Sequence, residues 1–160
     1  MQNVRWYRIF KGRRKKWNNC FSGIIPGGKE SFVSTLQRCG KTNQSILSPQ
    51  KIYAVDLGLR NLFTGFRDKG SLFENYVYNR IKKYQPCYYV VDGYEIDFLL
   101  DKKVMIEAKY HSELKGKQLD LFSSSDFQHK FLISSPNQLD TLLTDLSSIF
   151  NRLSRWLIFA

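Results

Sequence analysis

Three side chains suited to catalysis, Asp97, Glu107 and Lys109, lie on two neighbouring apolar segments, Tyr94–Leu100 and Val104–Tyr110. Side chains of a strand alternate between its two faces, so Glu107 and Lys109 project from the same face. A short turn between the segments would join them as a hairpin and bring Asp97 close to Glu107. The sequence therefore predicts two carboxylates and a lysine at one point of a sheet.

Such a cluster suits metal-dependent chemistry on phosphate. Two carboxylates in an apolar site repel each other, and a divalent cation relieves the repulsion. Mg²⁺ prefers oxygen ligands, so we predict that Asp97 and Glu107 bind Mg²⁺ or Mn²⁺, with Glu74 of the preceding helix as a further ligand. Lys109 could orient or deprotonate an attacking water, or stabilise the charge that develops on a phosphate.

Two alternatives need no metal. Asp97, Glu107 and Lys109 could form a cross-strand salt-bridge ladder on a solvated sheet face. Ser71 and Glu74 have the spacing of a capping box, with Ser71 at the N-cap of the helix, which would explain Glu74 by itself. Both alternatives stay open at the level of sequence.

The apolar pattern predicts the element order α-β-β-β-α-β-α from residue 70. The first helix begins at Ser71 and ends before Pro86, and Asp92-Gly93 is a hairpin turn. A short strand is expected upstream, at Ile52–Asp56. The later elements are expected at Cys87–Val91, Tyr94–Leu100, Val104–Tyr110, 113–123, Lys130–Ser134 and from Pro136 to about Trp156. Leucines repeat at helical spacing in the last helix, which makes that stripe either core-facing or a dimer surface.

Positive charge is concentrated in the first third of the chain. The net charge is +11, and residues 1–50 hold ten Lys and Arg but one acid, Glu30, while residues 51–160 are nearly neutral. A nucleic-acid partner, DNA in the first place, is the natural interpretation, and a solvated basic arm is the alternative. We predict that residues 1–48 form a basic segment of uncertain order and that residues 49–160 form the domain.

Several other classes of protein are excluded. No apolar run approaches the roughly 20 residues that cross a membrane, and the basic N-terminus has no apolar stretch behind it to make a secretory signal. Two phosphate-loop-like stretches, 23–29 and 35–42, each lack a required residue, which argues against ATP hydrolysis. Three cysteines at wide spacing argue against a zinc site or a disulfide framework, and favour a cytoplasmic protein.

The spacing of these motifs resembles that of the PD-(D/E)xK nuclease superfamily. More narrowly, the chain resembles the C-terminal domain of unknown function that is attached to many archaeal and bacterial AAA-type ATPases. The resemblance covers about residues 49–136 and rests on four blocks in order: Lys51–Leu59, Gly70–Asn75, Glu95–Phe98 and Ile106–Lys109. Residues 1–48 do not match, since members normally carry a winged-helix and ATPase portion there, so the chain is expected to be a truncated or rearranged relative.

The resemblance implies an α/β fold with a restriction-endonuclease-like core, a mixed sheet flanked by helices. It assigns metal and catalytic roles to Glu74, Asp97, Glu107 and Lys109, and an auxiliary role to Gln118 on the following helix. The expected function is metal-dependent hydrolysis of DNA phosphodiesters, linked to an ATPase partner. The alternative is a catalytically silent module of the same fold that binds nucleic acid or protein.

Overall fold

The computed structural model describes residues 33–40, 48–65 and 67–156 of the chain. The basic run 5–16 and the stretch 23–29 lie outside these ranges. The described elements are β1 (Val33–Leu36), β2 (Lys51–Ala54), α1 (Leu57–Thr64), α2 (Lys69–Ile81), a 3-10 turn (Lys82–Tyr84), β3 (Cys87–Val91), β4 (Tyr94–Leu100), β5 (Val104–Ala108), α3 (Lys117–Ser124), β6 (His129–Ile133) and α4 (Pro136–Trp156).

The main sheet has four strands in the order β3-β4-β5-β6. The first two pairings are antiparallel and β5 pairs with β6 in parallel, so the sheet is mixed as predicted. Asp92 and Gly93 have φ of 49° and 79°, the left-handed conformation that a tight two-residue hairpin needs. The predicted order of elements is therefore confirmed, and β3, β4 and α4 have the predicted bounds.

A second, two-stranded sheet joins β1 to β2 in antiparallel register, with Leu36 opposite Lys51. The chain after β1 continues along β3, where the Cys39 N–H donates to the Tyr88 carbonyl at 2.7 Å. A disulfide joins Cys39 to Cys87 at the same place. The prediction that argued against disulfides is therefore wrong for this pair. Its cysteines are 48 residues apart in sequence and meet where the chain after β1 runs beside β3, with Arg38 bridging to Tyr88.

Helix α2 begins three residues earlier than a Ser71 cap would require. Asp68 is the N-cap, and its side chain accepts a hydrogen bond from the Ser71 N–H at 3.0 Å. Ser71 lies inside the first turn, where its hydroxyl accepts from the Arg60 guanidinium at 2.6 Å. The prediction of a capping box formed by Ser71 and Glu74 is wrong, because Asp68 already satisfies the free N–H groups of this end.

The hydrophobic core lies between the main sheet and the helices α2 and α4. Side chains from one face of the strands pack against apolar side chains of both helices: Phe98, Leu100, Val104, Ile106, Phe73, Val77, Ile81, Leu139, Leu142 and Leu146. The leucine stripe of α4 is thus buried in the protein's own core, which favours the core-facing interpretation over a dimer surface. Outside this core, β4 and β5 bury the apolar side chains of Leu99 and Met105 as well as the carboxylates of Asp97 and Glu107. Within the described part of the chain, no helix combines the length and the apolar character needed to span a bilayer.

Candidate active site

Asp97 and Glu107 face each other across β4 and β5. Ladder pairing of the two strands ends at Phe98 opposite Ile106, and Asp97 and Glu107 are the residues just beyond the last pair. The Asp97 N–H donates to Glu107 Oε2 at 3.1 Å, and the Ala108 N–H donates to Asp97 Oδ2 at 3.0 Å. Both residues are buried, with 6% and 2% of their surface exposed, so the solvated face of the salt-bridge alternative is wrong, although Lys109 does form ion pairs with both carboxylates.

Lys109 and Gln118 converge on the Glu107 carboxylate. Lys109 Nζ lies 2.7 Å from Glu107 Oε1 and 3.9 Å from Asp97 Oδ2. The Gln118 side-chain amide, on the second residue of α3, donates to the same Glu107 Oε1 at 2.7 Å. The structure therefore brings together four residues that the sequence placed in one site.

Glu74 reaches the same region from α2, with its Oε1 accepting hydrogen bonds from Lys51 Nζ and the Tyr53 hydroxyl, both at 2.7 Å. The Glu74 carboxylate therefore contacts side chains of the site and not the backbone at the start of α2. The metal interpretation of Glu74 remains a prediction, but its capping alternative is removed.

Lys51 lies at the centre of a second group of carboxylates. Its Nζ is 2.7 Å from Glu74 Oε1, 2.7 Å from Glu95 Oε1 and 3.5 Å from Asp97 Oδ1, and the residue is 5% exposed. Lysine is rarely buried to this extent unless it is paired. Lys51, Tyr53 and Glu95 were not predicted as site residues. The available signals were the alternation of β2, which buries Lys51 with Tyr53, and the position of Glu95 on the same strand face as Asp97.

Burial and crowding perturb the carboxylates in different directions. Burial, followed by the charges of Glu74 and Glu107, raises the pKa of Asp97 to about 8, although Lys51 and Lys109 oppose this. Burial also raises the pKa of Glu107 above its ordinary value, against the charge of Lys109. For Glu74, burial is outweighed by the ammonium of Lys51, so its pKa is lowered.

Both lysines of the site are held in the charged form. Burial disfavours the ammonium of Lys51, but the three carboxylates around it outweigh burial and raise its pKa. The same balance raises the pKa of Lys109, where Asp97 and Glu107 outweigh burial. Lys109 is therefore a cation at neutral pH, which favours a role in neutralising charge over a role as proton acceptor.

These groups line a cleft of about 400 Å³. The volume suits a group the size of a nucleotide, within the range of ordinary ligand pockets. Its walls are Lys51, Tyr53, Glu74, Val90, Gly93, Tyr94, Glu95, Asp97, Lys109 and Gln118. The cleft is thus lined mainly by charged and polar side chains and is bordered by the β3–β4 turn.

The atoms around the cleft that could bind a metal ion are carboxylate oxygens, which suit a hard divalent cation. As arranged, however, the ammonium groups of Lys51 and Lys109 lie in the cation positions between them. Within the described ranges, no three acidic, histidine or cysteine side chains are grouped so that they could hold a metal ion. The carboxylate oxygens are of the kind that Mg²⁺ or Mn²⁺ prefers, but as arranged they hold the ammonium groups of Lys51 and Lys109 in the place of a metal ion.

Comparison with known protein families gives a match over half of the chain. The sequence profile of a domain of unknown function, DUF4143, matches residues 69–148, which is half of the chain. The matched region includes Glu74, Asp97, Glu107, Lys109 and Gln118. No curated protein and no solved structure matches the chain.

Proposed function

The chain belongs to the DUF4143 family, whose domain is often found with AAA-type ATPases, and we propose that it is a metal-dependent nuclease-like domain that hydrolyses DNA phosphodiesters. The proposal includes membership of the PD-(D/E)xK superfamily, with the mixed sheet as a restriction-endonuclease-like core. An ATPase partner is the natural setting for such a domain.

One observation carries this proposal. Asp97, Glu107 and Lys109, on two adjacent strands, direct their charged groups to one point, with Lys109 Nζ 2.7 Å from Glu107 and 3.9 Å from Asp97. Burying two carboxylates side by side costs free energy, since each disfavours the charge of the other. Perturbed groups of this kind concentrate at functional sites, which supports a catalytic over a purely structural origin.

Each side chain has a definable part in such a reaction. A divalent cation held by Asp97, Glu107 and Glu74 would polarise the phosphate and supply a hydroxide nucleophile near neutral pH. The Lys109 ammonium, partly exposed to the cleft, would neutralise charge that develops on the phosphate oxygens. Gln118 fixes the orientation of Glu107 through its 2.7 Å hydrogen bond.

The choice of DNA as substrate rests on charge. Residues 1–50 carry ten Lys and Arg and a single acid. Contacts of such residues with phosphates give affinity and position without reading sequence. The proposed substrate is therefore a DNA backbone, cleaved without strong sequence preference.

A cleavage assay with matched variants tests the proposal. Plasmid and branched DNA are incubated with Mg²⁺, Mn²⁺ or a chelator, using wild type, Lys109→Met and Asp97→Asn. We expect metal-dependent cleavage that falls at least about 100-fold in both variants, the usual loss for a group that stabilises charge or assists proton transfer. Lys83→Ala, an exposed lysine on the 3-10 turn, serves as the control and should cleave like wild type. Cleavage that persists in both site variants would sink the assignment.

The second candidate is a catalytically silent module of the same fold. It is favoured by Lys51, whose ammonium already compensates the carboxylates that would otherwise bind a metal. This module would bind DNA in a salt-sensitive manner with no cleavage in any metal. The same assay, read together with a binding titration in increasing salt, separates the two candidates.

A further inference from the structure

The Lys51 ammonium occupies a position with the surroundings of a bound cation. Three carboxylates from two different elements approach it, Glu74 from α2 and both Glu95 and Asp97 from β4. The hydroxyl of Tyr53 shares the same Glu74 oxygen. Without a positive charge at this point, the three carboxylates would repel one another in a buried setting.

The two carboxylate oxygens of Asp97 differ in how closely they are bonded. Oδ2 accepts from the Ala108 N–H at 3.0 Å and is thereby fixed on β5. Oδ1 faces Lys51 Nζ at the longer distance of 3.5 Å. Both oxygens of Glu107, by contrast, have short partners in Asp97 N–H, Lys109 and Gln118. The oxygen best placed to receive an incoming cation is therefore Asp97 Oδ1, on the Lys51 side.

Lys51 is also well placed to move. It is the first residue of a four-residue strand, and its ammonium lines the wall of the cleft. Four rotatable bonds connect the ammonium to the backbone, so it can leave the carboxylates while β2 stays paired with β1. Glu74 and Glu95 side chains are 22% and 29% exposed, which leaves a path from the cleft to the same oxygens.

We propose that Lys51 is a tethered cation that holds Glu74, Glu95 and Asp97 together until a divalent ion displaces it. The inference rests on the proposed metal-dependent function and makes Lys51 a positioning residue that sets metal affinity. With Asp97 ionised, as a carboxylate that binds metal must be, the three carboxylates and Lys51 have a formal net charge of −2. A divalent ion in its place reduces this to −1, and the released ammonium can then face a phosphate in the cleft.

Two separate expectations follow from this role of Lys51. The carboxylates stay gathered without metal, so the domain folds in the presence of a chelator. Metal binding is weakened by the need to displace Lys51, so removal of the ammonium should strengthen it. If the salt bridges of Lys51 had a purely structural role, the domain would still fold in chelator, but removal of the ammonium would not strengthen metal binding.

The test compares Mn²⁺ binding by wild type, Lys51→Met and Lys51→Arg, measured by calorimetry and by the melting temperature with and without Mn²⁺. Lys51→Met should bind Mn²⁺ at least about ten-fold more tightly than wild type, since the competing charge is gone. It should melt at a lower temperature in chelator, because three clustered carboxylates, of which Asp97 is buried, lose their shared ammonium, and Mn²⁺ should restore most of the loss. Lys51→Arg keeps the positive charge, and a guanidinium pairs with carboxylates through two hydrogen bonds. It should therefore be harder to displace, and this variant should bind Mn²⁺ more weakly than wild type.

Each outcome has a definite meaning. Equal Mn²⁺ affinity in wild type and Lys51→Met, with no recovery of melting temperature, overturns the inference and leaves the proposed function standing. No Mn²⁺ binding by any of the three proteins overturns the metal part of the proposed function itself, and the inference with it. Should Lys51→Met fail to fold even in Mn²⁺, Lys51→Arg decides alone, since unchanged affinity in that variant contradicts displacement.

Discussion

The carboxylates of Asp97 and Glu107 each accept a backbone hydrogen bond from the opposite strand. The Asp97 N–H donates to Glu107 Oε2, and the N–H that follows Glu107 in sequence, that of Ala108, donates to Asp97 Oδ2. Each carboxylate therefore replaces a backbone acceptor of the β4–β5 ladder. The relationship fixes both side chains, of which Asp97 lines the cleft, and gives each a partner that a buried acid needs.

The raised pKa of Asp97 predicts a pH-dependent stability. Its folded pKa of about 8 lies above the value near 4 of an unfolded Asp, so folding favours the protonated form. The stability that this group contributes is complete below about pH 4 and is lost as pH rises to about 8. In chelator, the free energy of unfolding of wild type relative to Asp97→Asn should therefore fall across this window and level off above it. Urea unfolding at a series of pH values measures this, with the exposed Asp126→Asn as control. A relative stability that rises with pH would contradict the assignment.

Glu74→Gln should destabilise the protein through Lys51. The substitution removes the charge that lies 2.7 Å from a buried ammonium and leaves that ammonium undercompensated. Breaking a buried ion pair by removing one partner costs about 3 kcal/mol or more, and we expect the lower end because Glu95 and Asp97 remain. Denaturant unfolding gives the value, and Glu113→Gln on the exposed surface should change it by less than about 0.5 kcal/mol. A small effect of Glu74→Gln would show that the ion pair adds little to folding.

Cys39→Ser should lower the free energy of unfolding of the oxidised protein by about 2–4 kcal/mol, because the disulfide closes a long loop and restricts the unfolded chain. Cys20 takes no part in this disulfide, so Cys20→Ser is the matched control and should leave the difference between oxidised and reduced protein unchanged. Thiol titration in denaturant should find two fewer free thiols in untreated wild type than in wild type that has been reduced. Three free thiols would contradict the pairing of Cys39 with Cys87.

Gln118 offers a graded test of the orientation of Glu107. Gln118→Ala removes one hydrogen bond to Glu107 Oε1 and should lower cleavage by about ten-fold, since Lys109 still holds the same oxygen. Gln118→Glu instead brings a like charge to within hydrogen-bonding distance of Glu107 and should reduce cleavage further. Initial rates at saturating Mg²⁺ measure both. A Gln118→Glu variant that cleaves like wild type would remove Gln118 from the site.

Local patterns in the sequence are enough to predict most strands of the main sheet. The alternation in Tyr94–Leu100 and the Asp92-Gly93 turn predict β4 and its hairpin with β3, because strand faces and tight turns depend on neighbouring residues. The same alternation predicts that Asp97, Glu107 and Lys109 meet. Other ends shift slightly, as α3 begins at Lys117 rather than at 113 and β5 ends at Ala108 rather than at Tyr110.

The features that the sequence does not reveal depend on contacts between distant segments. Lys51 meets Glu74 and Glu95 only because β2 packs beside α2, and a four-residue strand gives too short a pattern to show this. Cys39 meets Cys87, which lies 48 residues further along the sequence, because the chain after β1 runs beside β3. The helix start was misplaced because Asp68 and Ser71 are both good N-caps, and local propensity does not choose between them. β1 also lies upstream of the predicted domain boundary at residue 49, and it pairs with β2.

The position of a bound Mn²⁺ ion tests the central claim most directly. Crystals of the protein grown with a short DNA duplex and Mn²⁺ would locate the ion by its anomalous scattering. The account predicts an ion in the cleft, bonded to Asp97 Oδ1 at roughly 2.1 Å as for octahedral Mg²⁺, with Lys51 Nζ displaced from its place between Glu74 and Glu95. A structure that holds DNA and Mn²⁺ elsewhere, with Lys51 still seated among the three carboxylates, would contradict it.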